Sequence, residues 1–132
     1  MKHWAYPLIG KPYKLGAAGP DEFDCIGLVR YYFKERHGLD LPDYHLASQA
    51  SLLAFTRATR WVHQDGTPQD EDVLLMENHD GRHVGVVVST SEGLGLLHAV
   101  GGDYDSGSVL WQPLDSLYGY RNQQVWRKPC TP

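Results

Sequence analysis

The sequence predicts an α+β fold in which N-terminal helices pack on a central antiparallel β-sheet of about five strands. Apolar residues recur at helical spacing just after residue 25 and again over residues 46–59. From residue 73 onward they form short, β-branched runs separated by turn-like segments. Helices followed by a series of strands are typical of α+β folds. With 132 residues and no repeat or linker-like tract, residues 1–132 are expected to form one domain.

The predicted helices come first in the chain. A short helix-like segment ends at Ile9, and the next helix covers about residues 25–36. Asp24 is a good N-cap for that helix, and Gly38 is a typical stop signal. Residues 46–59 predict a further amphipathic helix.

The predicted strands follow without interruption by another helix. Val, Leu and Trp residues are frequent in them, and Gly, Ser, Asp and Asn residues separate them. The expected strands cover residues 73–76, 83–90, 94–100, 109–112 and 123–127.

Cys25 is the first candidate for a chemically active residue. It lies at the opening of a predicted helix, where unpaired amides and the positive end of the dipole favour the thiolate. We therefore expect a lowered thiol pKa and a nucleophilic role near neutral pH. The alternative is structural, because free cysteines are often buried and behave as small hydrophobic residues.

Two histidines lie where they could become partners of this cysteine. His83 opens one predicted strand, and His98 lies near the end of the next. If the hairpin folds back near Thr90 and Ser91, the two histidines lie roughly opposite each other and on one face. A histidine within reach of a cysteine is the usual arrangement for nucleophilic catalysis by a thiol.

Taken in order, these segments resemble the NlpC family of papain-like cell-wall cysteine peptidases, and most closely its branch in phage tails and prophages. The resemblance covers most of the chain. It is carried by the nucleophile loop (IGKPYKLG), the FDC motif with its helix, the exit segment LDLPDY, and the strands DVLLM, HVGV and LHA. The ordered set is far more specific than any one of these pieces.

The resemblance implies a role for five residues. Cys25 would be the nucleophile, His83 the general base, and His98 the polar residue that orients the His83 ring. Tyr13 would lie beside the nucleophile and assist the oxyanion. Asp24 would help to bind the free amino end of a peptidoglycan stem peptide.

The chain also departs from the commoner family pattern. Ile26 stands where many relatives have a serine that shares the binding of the amino end, so the position of the substrate is not inherited. The acidic run of residues 70–72 partly replaces the usual Pro-Gly-Asp turn, and we expect it to be a solvated turn.

The implied partners are peptidoglycan stem peptides, together with phage tail proteins or a secretion apparatus. A net charge of −4 without a basic block gives no case for nucleic acid or an anionic membrane, and no stretch has transmembrane length. The first residues lack the apolar core of a signal peptide. We therefore expect synthesis in the cytoplasm and delivery to the wall by a phage particle, lysis or secretion.

Neither a cofactor nor a metal is expected. His79 and His83 are four residues apart, but the intervening Gly81 breaks any helix, and no third ligand follows a zinc pattern. Trp61, Trp111 and Trp126 are expected to be core or groove-lining residues. Cys130, in the terminal segment, is expected to remain a free thiol without a catalytic role.

Three classes of function fit these observations. The first is a cysteine peptidase or amidase, including an amidase effector delivered between cells. The second is a non-catalytic tail-assembly or wall-binding module, since a fold can persist while its site does other work. The third is an acyl-transferring relative that uses the same nucleophile.

Overall fold

A computed structural model describes residues 4–41, 61–78, 81–101 and 107–128 of the chain. Its α-helix, α1, covers Cys25–His37. The strands are β1 Val62–Gln64, β2 Val73–Asn78, β3 Gly81–Thr90, β4 Gly93–Gly101, β5 Gly107–Pro113 and β6 Arg121–Arg127. They form one antiparallel sheet in the order β1-β6-β2-β3-β4-β5. The predicted α+β class is therefore confirmed.

Helix α1 begins and ends where the sequence predicts. The Asp24 carboxylate accepts the N–H of Gly27 at 2.6 Å, which caps the first turn. Gly38 adopts a left-handed conformation with φ 68°, and its N–H binds the carbonyls of Lys34 and Phe33. One face of the helix is fully buried, through Leu28, Val29, Tyr32 and Phe33.

The main core lies between α1 and one face of the sheet. The helix face packs on side chains of β3 and β4, among them Val84, Val86 and Leu97. Trp61 closes this core with its ring perpendicular to Phe33, as expected of a core aromatic residue. A smaller core covers the other face of the sheet, and its members include Leu74, Met76, Val87, Leu96, Leu117 and Val125.

Several local predictions need correction. The segment that ends at Ile9 contains only a 3-10 turn, Tyr6–Leu8. A sixth strand, β1, was not predicted and pairs with β6 at one edge of the sheet. The helix predicted over residues 46–59, like the exit segment from residue 42 onward, lies outside the described residues.

The acidic run before β2 is only in part the solvated turn that was predicted, because residues 70 and 71 form a turn and Asp70 is exposed, whereas Asp72 is buried. Asp72 is 1% exposed and forms a two-pronged ion pair with Arg127, with both N···O distances at 2.8 Å. Glu71 accepts hydrogen bonds from Tyr32 Oη at 2.9 Å and His37 Nε2. Burial opposes ionisation of Glu71, but these two hydrogen bonds outweigh it and hold its pKa below the usual value. The carboxylates thus fasten β2 to α1 and β6.

Within the described ranges, no helix has the length and apolar character that crossing a bilayer requires.

Candidate active site

Cys25 is the first residue of α1, and a loop fixed by hydrogen bonds precedes it. Asp24 holds this junction from both sides, since its second carboxylate oxygen accepts the N–H of Gly16 at 2.7 Å. Its own N–H donates to the carbonyl of Ala17 at 2.9 Å. Asp24 is 7% exposed, so its carboxylate first serves the loop and the helix cap. The arrangement fixes the backbone next to Cys25.

Gly27 is required for this close approach of loop and helix. A Cβ atom at this position would overlap the backbone carbonyl of Ala17 and touch Ala18. Any residue larger than glycine would therefore clash with the loop at position 27. The glycine lets the loop lie directly on the first turn of α1.

The sheet opens beside Cys25. Strand β3 pairs with β2 from Gly81 to Val86, whereas its pairing with β4 ends at Val86 and Leu97. Beyond that point lies Val84, whose backbone N–H favours the thiolate of Cys25 and so acts to lower its pKa. Cys25 is thus close to β3 where the β3–β4 ladder has ended, one residue along the chain from His83.

His83, His98 and Gln112 lie on one face of three adjacent strands. The pairs Val87 with Leu96, and Leu96 with Gln112, fix this face, because side chains two residues apart in a strand share a face. His83 Nε2 and His98 Nδ1 are 2.8 Å apart, and His98 Nε2 lies 2.8 Å from Gln112 Oε1. The three side chains form a continuous hydrogen-bonded chain.

The expected approach of the two histidines occurs, but through a different register. The ladder joins Thr90 to Gly93, so the turn is centred one residue later than predicted. This shifts the partner of each β3 residue by two positions, which keeps the face and makes the histidines diagonal neighbours. Gly85 leaves the room they need, since a Cβ there would lie 2.9 Å from the Cβ of His98.

Two tyrosines flank this chain of hydrogen bonds. Tyr120 stacks on His83 with ring centroids 5.4 Å apart and an interplanar angle of 25°. The Tyr13 ring packs against Gly101, where a Cβ would come within 3.1 Å of it. Burial, and after it the charges of Cys25 and Asp24, raise the pKa of Tyr13, so its hydroxyl stays a hydrogen-bond donor at neutral pH.

The charges at the site differ from the expectation. The pKa of the Cys25 thiol is raised to about 11, mainly by burial and secondly by the Asp24 carboxylate. Burial, and then the nearby His98, lower the pKa of His83 to about 3. The backbone N–H groups at the thiol, including those of Val84 and Ile26, favour the thiolate without outweighing burial. The predicted lowering of the thiol pKa is therefore wrong, and the resting pair is a thiol and a neutral imidazole.

Sequence reasoning missed Gln112 and Tyr120. Gln112 was included in a predicted strand, and the two-residue period would have placed it on the His98 face once the register was known. Tyr120 follows Gly119, which has a φ of 84°, and no local pattern links it to His83. Both reach the site only through strand pairing.

No group of three or more His, Cys, Asp or Glu side chains in the described part of the chain is arranged to hold a metal ion. His79 and Cys130, which entered the metal and disulfide arguments, lie outside that part.

Comparison with known proteins identifies the family from the sequence. The NlpC/P60 family model matches residues 10–124. The chain is 32% identical over 129 residues to the tail tip assembly protein K of Escherichia phage N15. That alignment covers 90% of this chain but 43% of the relative, so the chain spans less than half of the relative's length.

Two solved structures share this fold over nearly the whole chain. The NlpC/p60 domain of the peptidoglycan hydrolase SagA matches with a TM-score of 0.62 and 19% identity, over 95% of this chain and 92% of that one. NlpC1 from Trichomonas vaginalis matches with a TM-score of 0.63 and 21% identity, over 96% of this chain and 41% of that one. At these identities the likeness establishes the fold, whereas the family model covers most of the sequence. The chain belongs to the NlpC/P60 family.

Proposed function

We propose that this protein is a cysteine peptidase that cuts amide bonds in peptidoglycan stem peptides through Cys25, His83 and His98. The observation that carries the proposal is the 2.8 Å contact between His83 Nε2 and His98 Nδ1. The residue after His83, Val84, is close enough to Cys25 for its backbone N–H to favour the thiolate. Nucleophile, base and orienting group are the three parts that thiol catalysis needs.

The proposed reaction starts from neutral groups. His83 takes the thiol proton on Nδ1 as the sulfur of Cys25 attacks the amide carbonyl, which forms a C–S bond and an oxyanion. Protonated His83 then gives this proton to the leaving amine as the C–N bond breaks. Water, with His83 again as base, splits the thioester and restores the thiol.

Three groups would help to bind the oxyanion and the substrate. The Cys25 backbone N–H and the Tyr13 hydroxyl are the proposed oxyanion donors. Asp24 is the acid next to the nucleophile, and its charge disfavours the thiolate in the resting site. A substrate ammonium group bound near Asp24 would offset that charge and make the thiol easier to deprotonate. A stem peptide with a free amino end should therefore be cut faster than its acetylated form.

Purified peptidoglycan, with products identified by mass spectrometry, tests the proposal. Wild type should release stem-peptide fragments, and Cys25→Ala should release none. His83→Ala should lose on the order of thousands-fold in turnover, while His98→Asn, which keeps a polar partner, should retain a measurable part. His63→Ala, an exposed histidine in β1, is the matched control. Equal turnover of His83→Ala and wild type would refute the assignment of the base.

The similarity to a tail tip assembly protein favours one alternative, a non-catalytic role in tail assembly. A folded wild-type protein that yields no product from peptidoglycan, under conditions where a known wall peptidase does, would support it. Products that carry a new acceptor group in place of water would instead indicate an acyl transferase.

The proposed place of action is the cell wall, reached with a phage tail. Wild-type protein directed to the periplasm of a bacterium by an added signal peptide should weaken the wall and cause lysis. The Cys25→Ala protein, exported in the same way, should be tolerated. Lysis by both proteins would show that overloaded secretion, not hydrolysis, causes the damage.

A further inference from the structure

Gln112, in β5, is fastened at both ends of its amide group. Its Oε1 lies 2.8 Å from His98 Nε2. Its Nε2 donates to the backbone carbonyl of Ser116 and to the Ser116 hydroxyl, both at 3.1 Å. The Ser116 hydroxyl in turn donates to the carbonyl of Pro113 at 2.6 Å. Gln112 therefore connects the histidines to the turn that follows β5.

These contacts fix which way round the amide lies. The carbonyl of Ser116 can only accept, and the Ser116 hydroxyl has already given its proton to Pro113. Both groups therefore require the NH₂ end of the Gln112 amide. The oxygen end must face His98, where it can only accept a proton.

The orientation of this amide determines both histidine tautomers in turn. His98 must carry its proton on Nε2 to donate to Gln112, which leaves Nδ1 of a neutral ring without a proton. That bare Nδ1 accepts from His83, so His83 carries its proton on Nε2. Its Nδ1 is then the nitrogen with a free lone pair. Burial lowers the pKa of both histidines and keeps both rings neutral at pH 7.

We propose that Gln112, anchored by Ser116, is a positioning residue that sets the tautomers of His98 and His83 and so leaves Nδ1 of His83 free to act as a base. The statement about the base rests on the proposed function, whereas the statement about tautomers does not. Without the Gln112 oxygen, His98 can carry its proton on Nδ1 and donate to His83. His83 would then hold its own proton on the nitrogen that must receive the thiol proton.

Long-range ¹H–¹⁵N spectra of protein with ¹⁵N-labelled histidine measure these tautomers directly. The spectra are recorded without substrate on the Cys25→Ala background, so they do not depend on activity. In the protein with His83, His98 and Gln112 intact, both histidines should carry the proton on Nε2. Gln112→Met, which has no oxygen to accept from His98, should move the proton to Nδ1 in one or both rings. Gln123→Met, an exposed glutamine in β6, is the matched control.

Turnover on peptidoglycan, with Cys25 present, provides the second readout. Gln112→Met should lower kcat at least tenfold with little change in KM, whereas the control Gln123→Met should leave both unchanged. In serine-protease triads, a wrong tautomer lowers kcat by about 10⁴-fold.

The two readouts separate the two proposals. Unchanged tautomers in folded Gln112→Met would overturn the role of Gln112. A proton on Nδ1 of His83 or His98 in the protein that keeps Gln112 would overturn it as well. The second result needs no Gln112 variant, so the proposal stays testable if Gln112→Met fails to fold. Tautomers that respond as expected in a protein without turnover would refute the peptidase proposal alone.

Discussion

The thiolate fraction of Cys25 at pH 7 should be about three hundred times smaller than that of an ordinary cysteine, so alkylation by iodoacetamide should be correspondingly slow. The pKa of the thiol is raised to about 11, against about 8.5 for a free cysteine, and each pKa unit between these values reduces the thiolate fraction about tenfold. Since the thiolate is the reacting species, the rate should keep rising with pH up to about pH 11. Burial is the main cause, and the Asp24 carboxylate the second. Asp24→Asn should therefore shift the rate profile to lower pH.

Alkylation followed by intact-protein mass spectrometry checks this prediction. The Cys130→Ser protein is used because the chain has two cysteines, and this change leaves Cys25 as its single thiol. A short unstructured peptide with one cysteine provides the reference. The pKa is read from the pH midpoint of the rate profile and not from the absolute rate, because limited access to a buried thiol slows the reaction equally at every pH. A midpoint at or below about 8.5, the value of a free cysteine, would refute the reasoning and indicate a resting thiolate–imidazolium pair.

Three further predictions concern the scaffold. Alanine usually stabilises a helix by about 1 kcal/mol relative to glycine. Gly27→Ala should nevertheless lower both the melting temperature and the turnover, because the added Cβ would displace the Ala17 carbonyl. An unchanged melting temperature would contradict this. Asp72→Asn should lower the free energy of unfolding in urea by about 3 kcal/mol, and Arg127→Met by no less, because each breaks a buried ion pair; a loss below about 1 kcal/mol would show that the pair is dispensable. The pKa of Glu71 is lowered in the fold, so its contribution to stability is present above its unfolded pKa of about 4.3 and is lost as the pH falls through its lower, folded value. Glu71→Gln should thus destabilise the protein at pH 7 and much less at about pH 3, and equal losses at both pH values would exclude this linkage.

Local sequence patterns predicted the elements that carry their own signals. Helix α1 has a capping aspartate, an apolar face and a terminal glycine, and β2 to β6 have β-branched or apolar runs. Strand β1 has only three residues, two of them exposed, and it exists because it pairs with β6 more than 50 residues further along the chain. No local pattern contains that information.

The candidate site was predictable only in part for the same reason. The shared face of His83 and His98 follows from the two-residue period of strands, whereas their diagonal contact depends on a turn centred one residue later than expected. Gln112 and Tyr120 become part of the site through tertiary contacts alone. The protonation of Cys25 was predicted wrongly because a helix N-terminus is visible in the sequence, while the burial that outweighs it is a property of the folded protein.

The burial of the Cys25 thiol also bears on how long the protein keeps its nucleophile. Peroxide oxidises thiolates, and the products beyond the sulfenic acid are generally irreversible. With a pKa of about 11, only about one Cys25 in ten thousand is a thiolate at pH 7. If the protein is carried in a phage particle, as proposed, it would spend time outside any reducing compartment and without repair enzymes. The burial that keeps the thiol protonated would then also slow its irreversible oxidation.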